Sequence, residues 1–145
     1  MFLNRVQELQ WLAQRYQSDQ AEFIVMTGRR RVGKTALLSE FAGDKEGVYF
    51  LAYLDSADTL LRNLSASVWA AEHGADSIPG SYESWLGLLQ AIDRLARTKR
   101  FVLILDEYPY LAGSSSHLAS VIQKMWDEHL QHSKLFLCFV APICR

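Results

Sequence analysis

The chain has 145 residues, the length of one ordinary domain, and is long enough to bury a hydrophobic core. Half of its residues are hydrophobic, 21% are charged and the formal net charge is −1, which gives no global reason to expect nucleic-acid or membrane-surface binding. Its two cysteines do not make a disulfide framework, and no apolar run approaches the ~20 residues of a membrane span, so a cytoplasmic location is expected.

The first 20 residues predict an N-terminal segment followed by a helix. Asn4 is placed to cap this helix, and Gln7 occupies the position of its capping-box partner. Apolar residues recur at helical spacing and predict one buried face, formed by Val6, Leu9, Leu12, Ala13 and Tyr16. A first strand is then predicted over roughly residues 22–27.

The stretch that follows this strand reads GRRRVGKT and matches the phosphate-binding pattern G-x-x-x-x-G-K-[ST], or Walker A motif. It precedes a helical pattern over Thr35 to Phe41, so it has the strand–turn–helix context that the motif requires. The loop amides and the helix N-terminus would direct partial positive charge at a phosphate. Lys34 would reach the β- and γ-phosphates of ATP, and the Thr35 hydroxyl would ligate Mg²⁺. The predicted nucleotide-binding residues are Gly28, Arg29, Arg30, Arg31, Val32, Gly33, Lys34, Thr35 and Ala36.

The middle of the chain predicts one strand and two helices. Gly43 is placed to end the helix after the loop, and the apolar run Val48 to Leu54 predicts a parallel strand buried on both faces. Helical periodicity follows over residues 58–72 and 82–97, with a loop over residues 73–80 between them. Trp69 and Trp85 are expected to pack in the core rather than at a nucleotide or partner surface.

A second informative stretch is Phe101 to Glu107, where five apolar residues end in Asp-Glu, as in a Walker B strand. Carboxylates at this position would emerge at the C-terminal edge of the sheet, where open α/β sheets bind ligands. Asp106 would hold Mg²⁺ directly or through a water, and Glu107 would orient and deprotonate the water that attacks the γ-phosphate.

The last third of the chain predicts a turn, a helix and a strand. Pro109 is expected to turn the chain out of the strand within Tyr108 to Leu111, since it cannot donate to a strand ladder. The segment Gly113 to Ser116 is expected to be a loop and helix cap. A helix over residues 117–131 and a fourth parallel strand over Lys134 to Val140 complete the pattern.

Three spaced motifs together resemble the prokaryotic AAA+-like ATPases, a family of P-loop NTPases. They are Phe2 and Arg5 with Glu8-Leu9, similar to F-x-x-R-x-x-E-L, the GRRRVGKT loop, and Asp106 to Leu111, similar to D-E-[FY]-x-Y-L. The resemblance extends from residue 1 to about residue 138. It implies a three-layer α/β sandwich with a mostly parallel sheet, in which the fourth strand lies between the first and third. It also implies ATP and Mg²⁺ as cofactors, Glu107 next to the phosphates, and a lid and further domains beyond the core.

The sequence departs from the family pattern after the fourth strand. Family members continue there into a small polar stretch, C-G-S-S or similar, which supplies a sensor for the γ-phosphate, whereas here Cys138 is followed by FVAPICR. No polar sensor, fifth strand, arginine finger or lid is recognised. The expectation is a single P-loop ATPase core, incomplete at its C-terminal end, with residues 1–20 as N-terminal segment and helix, 21–140 as nucleotide-binding core and 141–145 as an aberrant tail.

The functional prediction is Mg²⁺-dependent ATP binding with slow hydrolysis. One alternative is an ATP-gated interaction or signalling module without significant turnover, and another is a DNA-handling ATPase with Arg29, Arg30 and Arg31 as its basic patch. These arginines would have a closer anionic partner in the bound phosphates, so nucleic acid is not favoured, although the sequence leaves it open. Self-association or a protein partner also stays open, and no membrane partner is expected.

Overall fold

The computed structural model of the chain describes residues 5–28 and 33–142. Asn4, which we predicted as a helix cap, lies outside these ranges, as does Phe2 of the N-terminal motif. Four predicted loop residues and the end of the predicted tail also lie outside them: Arg29, Arg30, Arg31, Val32 and residues 143–145. Within the described ranges, no helix has the length and apolarity needed to cross a membrane.

Within the described residues, four parallel strands form a single sheet. They are β1 (Glu22–Gly28), β2 (Gly47–Leu51), β3 (Phe101–Asp106) and β4 (Leu135–Pro142), and they lie side by side in the order β1-β4-β3-β2. The two central strands are buried on both faces, which explains why they read as nearly continuous hydrophobic runs. The position of β4 between β1 and β3 confirms the strand order that the family resemblance implied.

Helices cover both faces of the sheet and make it the middle layer of a three-layer α/β sandwich. The helices are α1 (Arg5–Gln17), α2 (Lys34–Ala42), α3 (Ala57–His73), α4 (Trp85–Thr98), α5 (Tyr108–Ser114) and α6 (Ser116–Glu128), with a 3₁₀ turn at Leu130–His132. The sheet has one core on each face, and alternate residues of β3 belong to different cores. Val102 and Ile104 pack with α1 and α2, whereas Leu103 and Leu105 pack with the four later helices. Trp85 is buried in the second of these cores, as predicted, and Trp69 is half-buried against Tyr82.

The second strand is shorter and less buried than the sequence suggested. The prediction of a strand over Val48 to Leu54 is wrong at its end, because β2 stops at Leu51 and the Leu54 side chain is 85% exposed. β2 is also an edge strand of the sheet, so it is not buried like the two central strands. The apolar residues after Leu51 belong to the connection that leads to Ser56, the N-cap of α3.

The predicted turn after β3 is a helix. Pro109 lies in the first turn of α5, where the backbone N–H that proline lacks would have had no intrahelical acceptor. The predicted loop over Gly113 to Ser116 is correspondingly short, since Ser114 ends α5, Ser116 begins α6 and Ser115 alone separates them. The proline therefore starts a helix here instead of only ending a strand.

Candidate nucleotide site

A cavity of about 430 Å³ lies at the C-terminal edge of the sheet, the edge where open parallel sheets bind ligands. The residues that line it are Gly33, Lys34, Thr35, Leu51, Asp106, Glu107 and Pro142. Five of them, all except Leu51 and Pro142, were predicted from the sequence as site residues. The fold brings them together although Thr35 and Asp106 are 71 positions apart.

The loop that leads into α2 ends in a left-handed glycine. Gly33 has φ +89° and ψ +15°, a conformation that glycine adopts without a Cβ penalty. Its carbonyl accepts the Leu37 N–H at 2.9 Å, so the helix is already formed at Lys34. The backbone N–H groups of this first turn lack intrahelical acceptors, and two of its residues, Lys34 and Thr35, line the cavity. Ala36 belongs to the same turn but is not among the lining residues.

Lys34 connects the C-terminal ends of two adjacent strands. Its Nζ donates to the carbonyl oxygen of Gly28, the last residue of β1, at 2.9 Å and to that of Ala141 in β4 at 3.1 Å. The ammonium group is therefore held at the sheet edge beside the cavity. Gly28 contributes to the site through this carbonyl and is not a lining residue.

The Asp106 carboxylate accepts three hydrogen bonds from described residues. Its side chain is buried, and its Oδ2 accepts hydrogen bonds from the Thr35 hydroxyl at 3.0 Å and from the Tyr49 hydroxyl. Its Oδ1 accepts the Glu107 N–H at 2.8 Å. Donors from α2, β2 and the β3–α5 junction thus fix both carboxylate oxygens.

Sequence reasoning did not identify Tyr49 as a site residue. It lies in the middle of β2, where it was treated as one aromatic residue of an apolar run. Burial, and then the hydrogen bond to Asp106, raise the pKa of Tyr49, so the phenol stays protonated and acts as the donor. The only signal in the sequence was a polar tip on a residue within an otherwise apolar strand.

Glu107 has an unusual backbone conformation for a residue with a side chain. Its φ of +54° and ψ of +43° are left-handed, and a non-glycine residue in this region typically carries backbone strain. The residue lies between β3 and α5 and lines the cavity. A strained residue that carries a carboxylate at a ligand-binding edge supports a functional assignment for Glu107.

The donor set is compatible with Mg²⁺. The Thr35 hydroxyl and the Asp106 carboxylate are hard oxygen donors that already touch each other. In the described ranges no three His, Cys, Asp or Glu side chains converge as a metal cage. A cation held here would therefore use few protein ligands and share its coordination with waters and phosphates, as Mg²⁺ commonly does.

The fold and the cavity at its sheet edge define a P-loop ATPase core. The model of the family described as an ATPase domain predominantly from Archaea matches residues 2–142, and the chain belongs to this family.

Two relatives and one solved structure are similar to this chain. The chain is 31% identical over 141 residues to an uncharacterized protein of Methanocaldococcus jannaschii, covering 97% of this chain and 29% of that protein. It is 44% identical over 46 residues to an uncharacterized ATP-binding protein of the same organism, covering 32% of this chain and 78% of that protein. The Walker-type ATPase PABY2304 of Pyrococcus abyssi shares the fold with a TM-score of 0.70 at 17% identity, over 95% of this chain and 45% of that one. The chain thus spans less than half the length of the first relative and of this solved structure.

Proposed function

We propose that this chain binds Mg²⁺–ATP in the cavity at the sheet edge and hydrolyses it slowly, with residues 21–140 as the nucleotide-binding core. The observation that carries the proposal is the convergence of Lys34, Thr35, Asp106 and Glu107 around one cavity of about 430 Å³. Two distant sequence motifs supply these residues. The cavity lies at the expected sheet edge, and the Lys34 ammonium and the oxygen donors around it are the groups that a nucleotide–Mg²⁺ complex requires.

Each residue has a distinct proposed role. Lys34 would contact the β- and γ-phosphates, and Thr35 with Asp106 would hold Mg²⁺, which neutralises charge on phosphate oxygens when bound. Glu107 would orient the attacking water and accept its proton. The rest of the phosphate loop, Gly28 to Val32 with Gly33 and Ala36, would supply backbone amides to the phosphates.

Binding is expected to depend on the Lys34 ammonium, and Lys34→Ala tests it. The variant should bind a fluorescent ATP analogue at least about 100-fold more weakly, since it loses charge-assisted bonds worth ~3 kcal/mol together. Lys124→Ala removes an exposed lysine from α6 and is the matched control. The proposal would be wrong if the wild type and Lys34→Ala bound the analogue equally, with both proteins folded by circular dichroism.

Turnover is expected to be slow because the transferring phosphoryl group needs more charge stabilisation than one lysine supplies. Among the described residues that line the cavity, Lys34 is the one cation. An arginine finger is worth about 10³–10⁵ in rate, and P-loop enzymes without one turn over on the order of 10⁻³ s⁻¹ or slower. Phosphate release at saturating ATP measures this rate, with Glu107→Gln as background. A wild-type rate of about 1 s⁻¹ that vanishes in Glu107→Gln would contradict slow turnover.

An ATP-gated interaction module is the second candidate. Leu51 lines the cavity and is 54% exposed, and Leu54 shortly after it is 85% exposed, so an apolar surface adjoins the nucleotide position. ATP binding could order this surface for a protein partner. Single-turnover hydrolysis separates the two candidates, because a module of this kind would bind ATP and release no phosphate.

A further inference from the structure

Strand β2 and the residue that follows it hold Asp106 through one side-chain bond and one backbone bond. The two strands pair in parallel with Leu51 opposite Asp106 and Tyr49 opposite Ile104. The Ala52 N–H donates to the Asp106 carbonyl oxygen at 3.0 Å, and the Tyr49 hydroxyl donates to Asp106 Oδ2. An edge strand that contributes no carboxylate of its own thus fixes the carboxylate of its neighbour.

The bonds to Asp106 differ in what they can do when a cation is present. An ionised carboxylate has about four acceptor positions, and three are occupied here by Thr35, Tyr49 and the Glu107 amide. In the proposed function the Thr35 oxygen would hold the cation through a lone pair while its O–H donates to Asp106, so this bond would link the two metal-holding residues. Tyr49 donates to Oδ2, the same oxygen as Thr35, and the Glu107 amide donates to Oδ1. Neither bond uses the Thr35 oxygen, so neither competes with a cation for it.

A packing role alone does not account for the polar end of Tyr49. Its ring is half-buried and packs against the core formed with α1 and α2, a role that phenylalanine would fill equally well. The hydroxyl adds a directed bond to a buried, charged acceptor, and bonds of this type are stronger than neutral ones.

We propose that Tyr49 is a positioning residue for the metal site: its hydroxyl fixes the orientation of the Asp106 carboxylate that would hold Mg²⁺. This inference rests on the proposed function, because it assumes Mg²⁺–ATP in the cavity. It adds a residue from β2 to a site that the sequence motifs assign to the phosphate loop and β3 alone.

The test compares the Mg²⁺ requirement of nucleotide binding in two tyrosine variants. Tyr49→Phe removes one hydroxyl and should raise the Mg²⁺ concentration for half-maximal binding of a fluorescent ATP analogue about 10-fold, the typical effect of losing an outer-shell partner. Binding of the analogue in EDTA should stay unchanged, because no cation is then held. Tyr82→Phe is the matched control, since the Tyr82 hydroxyl donates to another carboxylate, Glu72, at 2.7 Å outside the cavity. It should leave the Mg²⁺ requirement at the wild-type value.

A coupling measurement separates positioning from a general loss of structure. In an Asp106→Asn background, Tyr49→Phe should cause no further change in the Mg²⁺ requirement, because the carboxylate that it orients is gone. An unchanged Mg²⁺ requirement in Tyr49→Phe, or an equal weakening of binding with Mg²⁺ and with EDTA, would overturn the inference and leave the proposed function standing. Failure of the wild type to bind the analogue with Mg²⁺ would overturn both.

Discussion

The two adjacent carboxylates at the end of β3 have different surroundings. Asp106 is 5% exposed and is held by three hydrogen-bond donors, so its orientation is fixed before any ligand arrives. Glu107 is half-buried and carries left-handed backbone strain at the cavity wall. In the proposed function these surroundings match a metal-binding role for Asp106 and a role toward the attacking water for Glu107.

Substitution of the two carboxylates one at a time tests this division. Asp106→Asn should weaken Mg²⁺-dependent ATP binding by about 10- to 100-fold, because it removes the charge that would hold the cation. Glu107→Gln should leave ATP affinity unchanged and abolish phosphate release, since the amide cannot accept a proton. Titration with and without Mg²⁺ and a phosphate-release assay give both quantities. Equal losses of affinity in the two variants would show that the roles are not divided in this way.

At the scale of secondary-structure elements, Gly47 sets the approach of β2 to β3. A Cβ atom added at Gly47 would lie 2.0 Å from the carbonyl oxygen of Val102, a backbone atom that cannot move aside easily. Gly47→Ala should therefore force the strands apart at the start of β2 and destabilise the protein by about 1–3 kcal/mol.

Gly113→Ala is the control for this prediction. Gly113 lies in α5, and a Cβ atom added there would meet no other atom within 4 Å, so alanine should be neutral or stabilising by up to about 1 kcal/mol. Urea denaturation of the two variants measures the difference. Equal stabilities would mean that the β2–β3 pairing adjusts to a side chain at this position.

A second element-scale contact ties α3 to α4 and depends on pH. The Glu72 carboxylate accepts hydrogen bonds from Arg94 at 2.6 and 3.0 Å and from the Tyr82 hydroxyl at 2.7 Å. The hydrogen bonds from Arg94 lower the pKa of Glu72 below its usual value of 4.5. Because the folded-state pKa is lowered, the stabilisation is complete above about pH 4.5 and is lost as the pH falls through the folded-state pKa.

Glu72→Gln should make this pH dependence visible. The variant should lose about 1 kcal/mol of stability near neutral pH, a small value because Arg94 is more than half exposed to solvent. The difference from the wild type should shrink as the pH falls below about 4.5 and through the folded-state pKa of Glu72, because the wild-type carboxyl also becomes uncharged there. Urea denaturation at about pH 7 and about pH 3 checks it. A constant difference across this range would show that the charge of Glu72 does not contribute.

At the scale of the whole molecule, sequence motifs predicted the sheet better than they predicted the edges of its elements. The phosphate loop and the Asp-Glu pair each follow an apolar strand, so both must meet at one sheet edge, and the resemblance supplied the strand order. The start of a helix at Tyr108 and the end of β2 at Leu51 were missed because proline and apolar residues each suit two local structures. The Tyr49–Asp106 contact was missed because it depends on the register between β2 and β3, which no local pattern records.

The edge of the sheet at β1 is the last feature that bears on the behaviour of the whole molecule. Among the described strands, β1 pairs with β4 alone, so one side of its backbone has no strand partner. Val25 on this strand is 60% exposed, and Phe23 is 44% exposed although it contacts Trp126 and Phe139. A long apolar edge with free backbone groups is a template for pairing with another chain.

We therefore expect the 145-residue chain to self-associate, and Val25→Lys should reduce this association because a charged side chain on an edge strand opposes pairing. Ile78→Lys is the matched control, since Ile78 is 87% exposed in the connection between α3 and α4, outside the sheet, and the same added charge there should leave the association unchanged. Sedimentation velocity over a range of protein concentrations gives the distribution of species for the three proteins. A wild type that sediments as a monomer at every concentration would refute the expectation. Equal suppression by both lysines would point to net charge instead of the β1 edge, because both variants change the charge by the same amount.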